Sequence, residues 1–205
     1  MGAPIIVLVG QSNADRIADG IIDALNETYG AGTYVLVRAY SSGAPLTSAR
    51  DGNSGDNALA GAWGNDRIFG MAGDDTLQDT KGDDKLVGGT GIDVYHIDNP
   101  DDVVIELAGK GHDLINAAAS FRLWADAPDV EDQVLIDSDA IDGIANGHDN
   151  HIVGNGAANC LDGARGRDLL EGGGGADTLI GLSGADTLLG QAGDDVLYGD
   201  QVIGA

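Results

Sequence analysis

The sequence predicts a mainly β chain, a parallel β-solenoid of nonapeptide repeats with a small α/β segment at its N-terminus. Three observations predict it. A nine-residue unit recurs five times from Gly52 and five times from Gly154. One apolar residue holds the same place in every unit. Glycine is abundant, at 34 of 205 residues, while aromatics are only 4%, a composition that builds no thick core and needs another way to offset backbone entropy.

The first array reads GNSGDNALA, GAWGNDRIF, GMAGDDTLQ, DTKGDDKLV and GGTGIDVYH, ending at His96. Position four is Gly55, Gly64, Gly73, Gly82 and Gly91, and position six is Asn57, Asp66, Asp75, Asp84 and Asp93. Position eight is Leu59, Ile68, Leu77, Leu86 and Tyr95. The second array reads GNGAANCLD, GARGRDLLE, GGGGADTLI, GLSGADTLL and GQAGDDVLY, ending at Tyr198. Its position six is Asn159, Asp168, Asp177, Asp186 and Asp195, and its position eight is leucine throughout. A degenerate unit, residues 145–153, leads into it with Asn150 and Ile152 in register.

The period dictates the architecture. Each unit is a glycine-rich turn followed by about three extended residues. Successive side chains of a strand alternate between its faces, so one apolar residue per unit faces inward and its neighbours face solvent. A single unit buries almost nothing, and neighbours must stack to make a core. Stacking places like positions about 4.8 Å apart, which forces the aspartates into rows. Left unneutralised, such a row repels itself. A hard dication is the natural remedy, and Ca²⁺ accepts carboxylate and carbonyl oxygens in flexible geometry, whereas Mg²⁺ demands a tighter octahedron.

The charge balance agrees. There are 34 acidic residues against 10 basic ones, a formal charge of −24. That balance argues against nucleic acid and anionic membrane surfaces, which are bound through Lys and Arg, and suits a chain that collects cations. The lone Cys160 forms no intramolecular disulfide, and no stretch is long enough to span a bilayer. Residues 1–10 lack a basic leader region, so no signal peptide is read there.

GGTGIDVYH and GGGGADTLI match in full the GGxGxDxUx repeat of the RTX (repeat-in-toxin) family, which the arrays resemble. The resemblance implies a parallel β-roll with two units per coil and several Ca²⁺ ions lying between turns on the same side. It pairs Asp66 with Asp84, Asp75 with Asp93, Asp168 with Asp186 and Asp177 with Asp195. Pairs holding Asn57 or Asn159 are expected to bind more weakly, one charge being absent. The fourth unit departs from the pattern, with Asp79 and Thr80 in place of Gly-Gly, and Trp63 occupies another turn. The resemblance further implies a secreted, extracellular protein, exported by a type I secretion apparatus, whose roll folds when it meets calcium. Extracellular calcium modules bind at about 0.1–1 mM. At one to ten times its dissociation constant an ion adds roughly 0.4–1.4 kcal/mol of stability, so several ions decide the folding of a marginal domain. A calcium-dependent adhesive or surface-layer component is an alternative role.

Residues 97–144 lack the nonapeptide but keep β-rich runs such as Val103–Ile105 and Gln133–Ile136. They are expected to continue the solenoid or to form a strand-rich spacer. No chemistry-bearing pattern is read in them. His148 and His151 have no Cys or close third His to make a zinc site.

The first fifty residues read differently. Ile5–Val9 is a short apolar run, Ile17, Ile21, Ile22 and Leu25 recur at helical spacing before Gly30, and Tyr34–Val37 forms a second apolar run. This is a β-turn-α-β unit. VLVGQSNA resembles the first block of SGNH hydrolases, in particular the sialate O-acetylesterase-like group with its GQSN motif. That resemblance makes Ser12 a nucleophile, Gly43 a member of the oxyanion-hole block, and an acetylated carbohydrate the substrate. The same turn residues, Ser12 and Asn13, also suit a plain helix cap. Fifty residues are too few for a complete α/β hydrolase core. The chain thus divides into a hydrolase-like segment (1–50), a first array (51–96), a spacer (97–144), a second array (145–200) and a tail (201–205).

Overall fold

The computed structural model describes residues 5–9, 34–38 and 49–200, with side chains from residue 51. The chain falls into two units, residues 1–45 and 46–205. In the first, strands β1 (Ile5–Val9) and β2 (Tyr34–Arg38) pair in parallel, Ile5 opposite Tyr34. Parallel neighbours need a crossover between them. The expected helix at residues 17–25, Ser12 and Gly43 lie outside the described residues.

The second unit is a solenoid of parallel strands, mainly β as the repeat predicts. Its first array forms β3 (Ala49–Asp51), β4 (Ala58–Ala60), β5 (Arg67–Ala72), β6 (Thr76–Gln78), β7 (Lys85–Thr90) and β8 (Val94–Ile97). The spacer forms β9 (Val103–Ile105), β10 (Leu114–Ala117), β11 (Phe121–Arg122), the single helical turn α1 (Leu123–Asp126), β12 (Asp132–Leu135) and β13 (Gly143–Ile144). The second array supplies β14 (His151–Val153), β15 (Cys160–Asp162), β16 (Leu169–Glu171), β17 (Thr178–Leu182), β18 (Thr187–Leu189) and β19 (Val196–Asp200). Even-numbered strands from β4 to β18 make one unbroken eight-stranded sheet. The opposite wall is two sheets, β3-β5-β7-β9 and β11-β13-β15-β17-β19, with α1 touching both β9 and β13 where they part.

Register follows from two nonapeptides per coil. Leu77 stands opposite Leu59, and Leu170 opposite Leu188, eighteen residues away. The spacer keeps the path with looser steps: Val94 pairs with Leu114, Asp132 with His151 and Phe121 with Gly143.

The core is the stack of position-eight side chains. Ile68, Leu77, Leu86, Tyr95, Leu161, Leu170 and Leu179 are fully buried, and Val104 and Ile115 of the spacer and Ile152 of the degenerate unit continue the stack between the arrays. Burying such a side chain contributes about 1.5–3 kcal/mol relative to leaving it in water. A neighbouring coil on each side is what buries it: Leu197, in the last described coil, remains 45% exposed. Position-four glycines turn the chain. Gly175 sits at φ +110, and a Cβ there would lie 2.6 Å from the Ala157 carbonyl of the coil below. Only glycine meets both demands.

Candidate metal centre

Position six immediately precedes each strand, so the coil winds its acidic side chains into two rows along the turns. Along the eight-stranded sheet the row is Asn57, Asp75, Asp93, Asp113, Glu131, Asn150, Asp168 and Asp186. Along the other wall it comprises Asp66, Asp84 and Asp102, then Asn159, Asp177 and Asp195. One device orients them. The backbone N–H of each position-six residue donates to the Oδ1 of the carboxylate one coil on: Asp66 to Asp84 at 2.6 Å, Asp75 to Asp93 at 2.8 Å, Asp168 to Asp186 at 3.0 Å and Asp177 to Asp195 at 3.0 Å. Asn57 donates likewise to Asp75, and Asn159 to Asp177. Every residue pair expected to share an ion is therefore brought to adjacent coils.

With Oδ1 held by a backbone N–H, Oδ2 is left over. The Oδ2 atoms of Asp75, Asp84, Asp93, Asp168, Asp177 and Asp186 are buried and accept no hydrogen bond. A buried carboxylate oxygen without a partner is costly, and burial, the largest influence, pushes the carboxyls of Asp75, Asp84 and Asp168 up to about 6. The orphaned oxygens also explain the position-one glycines. A Cβ on Gly163, Gly172 or Gly181 would lie 2.8, 2.5 or 2.6 Å from Oδ2 of Asp168, Asp177 or Asp186. The carbonyl oxygens of Gly181 and Gly190 lie within 3.1 and 2.7 Å of the first two of those points. Carboxylate and carbonyl oxygens thus converge on a cradle that a methyl group would fill.

This donor set fits Ca²⁺, a hard cation that takes carboxylate and carbonyl oxygens, and lacks the nitrogen and sulfur ligands that zinc favours. The Asn positions make the contrast. Asn159 Nδ2 donates to the Ile141 carbonyl at 2.7 Å and Asn150 Nδ2 to the Glu131 carbonyl at 2.8 Å. A neutral amide satisfies itself where a carboxylate needs a cation.

The rows extend into residues where no chemistry was read from sequence. Asp84 N–H donates to Asp102, Asp93 N–H to Asp113, and Asp113 N–H to Glu131. Carboxylate oxygens of Asp79, Asp98 and Asp102 lie within 4.8 Å of one another, as do those of Asp93, Glu106 and Asp113. Burial and the neighbouring Asp102 push Asp79 up, burial pushes Asp113 up to about 6, and burial together with Asp113 pushes Glu106 up to about 8. Asp102 and Asp113 were traceable: each stands two residues before a buried apolar residue, Val104 and Ile115, as position six stands before position eight. Glu106 and Asp79 lack that spacing: both stand at position one, where Asp79 shows in the sequence as a departure from glycine and Glu106 does not, lying outside the nonapeptides.

The histidines face carboxylates singly. His151 Nε2 lies 2.8 Å from Glu171 and His112 Nε2 lies 3.2 Å from Asp132. The nucleophile expected at Ser12 lies outside the described residues. Among the described residues no helix is long and apolar enough to cross a membrane.

The family model of the RTX calcium-binding nonapeptide repeat matches four times, over residues 51–68, 60–95, 144–170 and 171–201. No curated protein matches the chain.

Proposed function

The chain belongs to the family built on the RTX calcium-binding nonapeptide repeat and is a calcium-binding β-roll module, and from that premise we infer that its two aspartate rows hold the ions and that calcium completes its fold. The observation that carries this reading is the set of buried, partnerless Oδ2 atoms facing the position-one glycines. The ligands are Asp66, Asp75, Asp84, Asp93, Asp168, Asp177, Asp186 and Asp195, with Asn57 and Asn159 marking the weaker edge of each array. Ca²⁺ supplies positive charge between carboxylates that otherwise repel, and the chain supplies oxygens already oriented by backbone N–H groups. Because cytosolic calcium is far below the dissociation constant of such sites and extracellular calcium is not, a secreted chain of this kind stays unfolded for export through a type I apparatus and folds outside the cell.

Calorimetric titration of the full chain with Ca²⁺ tests the assignment. The double variant Asp168→Asn/Asp177→Asn is expected to bind fewer ions than the parent, with Mg²⁺ failing to compete in either. An unchanged number of ions in the variant would remove these aspartates from the ligand set.

A further inference from the structure

We propose that the chain holds a calcium site outside its nonapeptide pattern, formed by the carboxylates of Asp93, Glu106 and Asp113 where the first array gives way to the spacer. This deepens the calcium reading and rests on it. Residues 106 and 113 lie outside every stretch matched by the repeat.

The three carboxylates come from two turns that the coil superimposes: Asp93 from the turn between β7 and β8, Glu106 and Asp113 from the two ends of the turn between β9 and β10. Gly88 and Glu106 occupy the same place on successive coils, since Lys85, Leu86 and Val87 pair with Val103, Val104 and Ile105. Glu106 therefore brings a side chain to a place where the coil below has none. A Cβ on Gly88 would collide with Asp93 Oδ2, Glu106 Oε1 and the Tyr95 hydroxyl together, so these oxygens converge on one point. Asp113 arrives from the next coil, its Oδ1 accepting from Asp93 N–H at 2.8 Å. Val94 pairs with Leu114, two residues beyond the usual step, and the lengthened turn carries Gly111 close against the Gly91 carbonyl.

Two features point to a cation there. Asp93 is fully buried and its Oδ2, aimed into the cluster, accepts no hydrogen bond. Glu106 and Asp113 are 8% and 2% exposed, so three carboxylates share a space that water barely reaches. Glu106 is positioned by its neighbours: Oε2 accepts from Leu107 N–H at 3.0 Å, and the Tyr95 hydroxyl donates to Oε1. Each pair in the arrays offers two carboxylates and this site offers three, all buried, whereas Asp98 of the group with Asp79 and Asp102 is exposed. Affinity for Ca²⁺ rises with the number of charged ligands. The site fills first and fastens the array to the spacer.

Titration of the full chain with Tb³⁺, which takes the same oxygen ligands and emits when a nearby tyrosine is excited, reads the site directly. The first equivalent should give most of the tyrosine-sensitised emission, and Tyr95→Phe should remove it. Calorimetry with Ca²⁺ should show the tightest step weakened about tenfold or more in Glu106→Gln, with the later steps kept. First-equivalent emission that survives Tyr95→Phe overturns the proposal, and so does a Glu106→Gln isotherm that superimposes on the parent. If Glu106→Gln shows no β-sheet spectrum in saturating Ca²⁺, the Tyr95→Phe comparison decides. A parent chain that binds no Ca²⁺ at all would instead sink the underlying calcium reading.

Discussion

The second array and the spacer wind the same coil with different chemistry. In the array every coil repeats after eighteen residues, each position-eight leucine meets another leucine, and each position-six carboxylate meets its partner. In the spacer the steps lengthen between Val94 and Leu114 and between Phe121 and Gly143. Gln133 takes a fully buried core place between Ile115 and Ile152, with its Oε1 unsatisfied. The opposite wall breaks, and α1 occupies the gap. Along the eight-stranded sheet two residues per coil set the path: one side chain facing in, apolar except at Gln133, and an Asp, Glu or Asn two places before it. Glycine regularity makes coils identical; it is not needed to continue them.

Substitutions in the core break that comparison most strongly. Leu170→Ala removes a fully buried leucine that packs against both adjacent coils and should lower stability in saturating Ca²⁺ by about 2–5 kcal/mol in chemical denaturation. Gln133→Met at the equivalent spacer position should change stability by less than about 1.5 kcal/mol, because the lost Nε2–H hydrogen bond to the Phe121 carbonyl, long at 3.3 Å, is offset by removal of a buried oxygen without a partner. Losses of equal size at the two positions would mean that the spacer core tolerates change no better than the array core.

Removing one carboxylate should change sign with calcium. Asp168→Asn is expected to shift the Ca²⁺ midpoint for folding upward about tenfold, on the order of 1.4 kcal/mol. In chelator the same variant should retain more β-sheet signal than the parent, since a neutral amide at this place does not repel Asp186, as Asn150 and Asn159 illustrate. Far-UV circular dichroism of variant and parent, in chelator and through a Ca²⁺ titration, checks both halves.

Acid should partly replace calcium. Burial raises the carboxyls of Asp75, Asp84, Asp113 and Asp168 to about 6, above the roughly 4 of an unfolded aspartate. Between those values the folded chain binds more protons than the unfolded one, so stability is greatest below about 4 and is lost as pH rises through about 6. The Ca²⁺-free chain should therefore gain β-sheet signal at pH 5 relative to pH 8, while Ca²⁺ affinity should be lower at pH 5 because protons compete for the ligands. A Ca²⁺-free β-sheet signal that is flat over this range contradicts the buried-carboxylate account.

The smallest expected effect concerns turn strain. Position two is left-handed in Gly89 and Gly173, yet Leu182 holds φ +63 there. Leu182→Gly should raise stability by up to about 1 kcal/mol, the relief of a strained φ being partly offset by glycine's own entropy.

Much of this was legible in the sequence because both signals are periodic. Position eight foretold the core from Ile68 to Leu179, and position six foretold which aspartates would stack eighteen residues apart. Asp102 and Asp113 escaped notice because only the two-residue spacing before Val104 and Ile115 marks them, with no flanking glycines. Glu106 could not be read at all, and Asp79 was visible only as a departure from glycine at position one. Their importance arises from substituting glycine at a place that abuts another coil's carboxylate, which is a property of three-dimensional stacking.

Far-UV circular dichroism of the full chain during a Ca²⁺ titration, with Mg²⁺ in parallel, tests the central claim most directly. A cooperative gain of β-sheet signal is expected at about 0.1–1 mM Ca²⁺, and none with Mg²⁺. A full β-sheet spectrum already present in chelator, unmoved by Ca²⁺, would contradict it and show that the coils fold on packing alone.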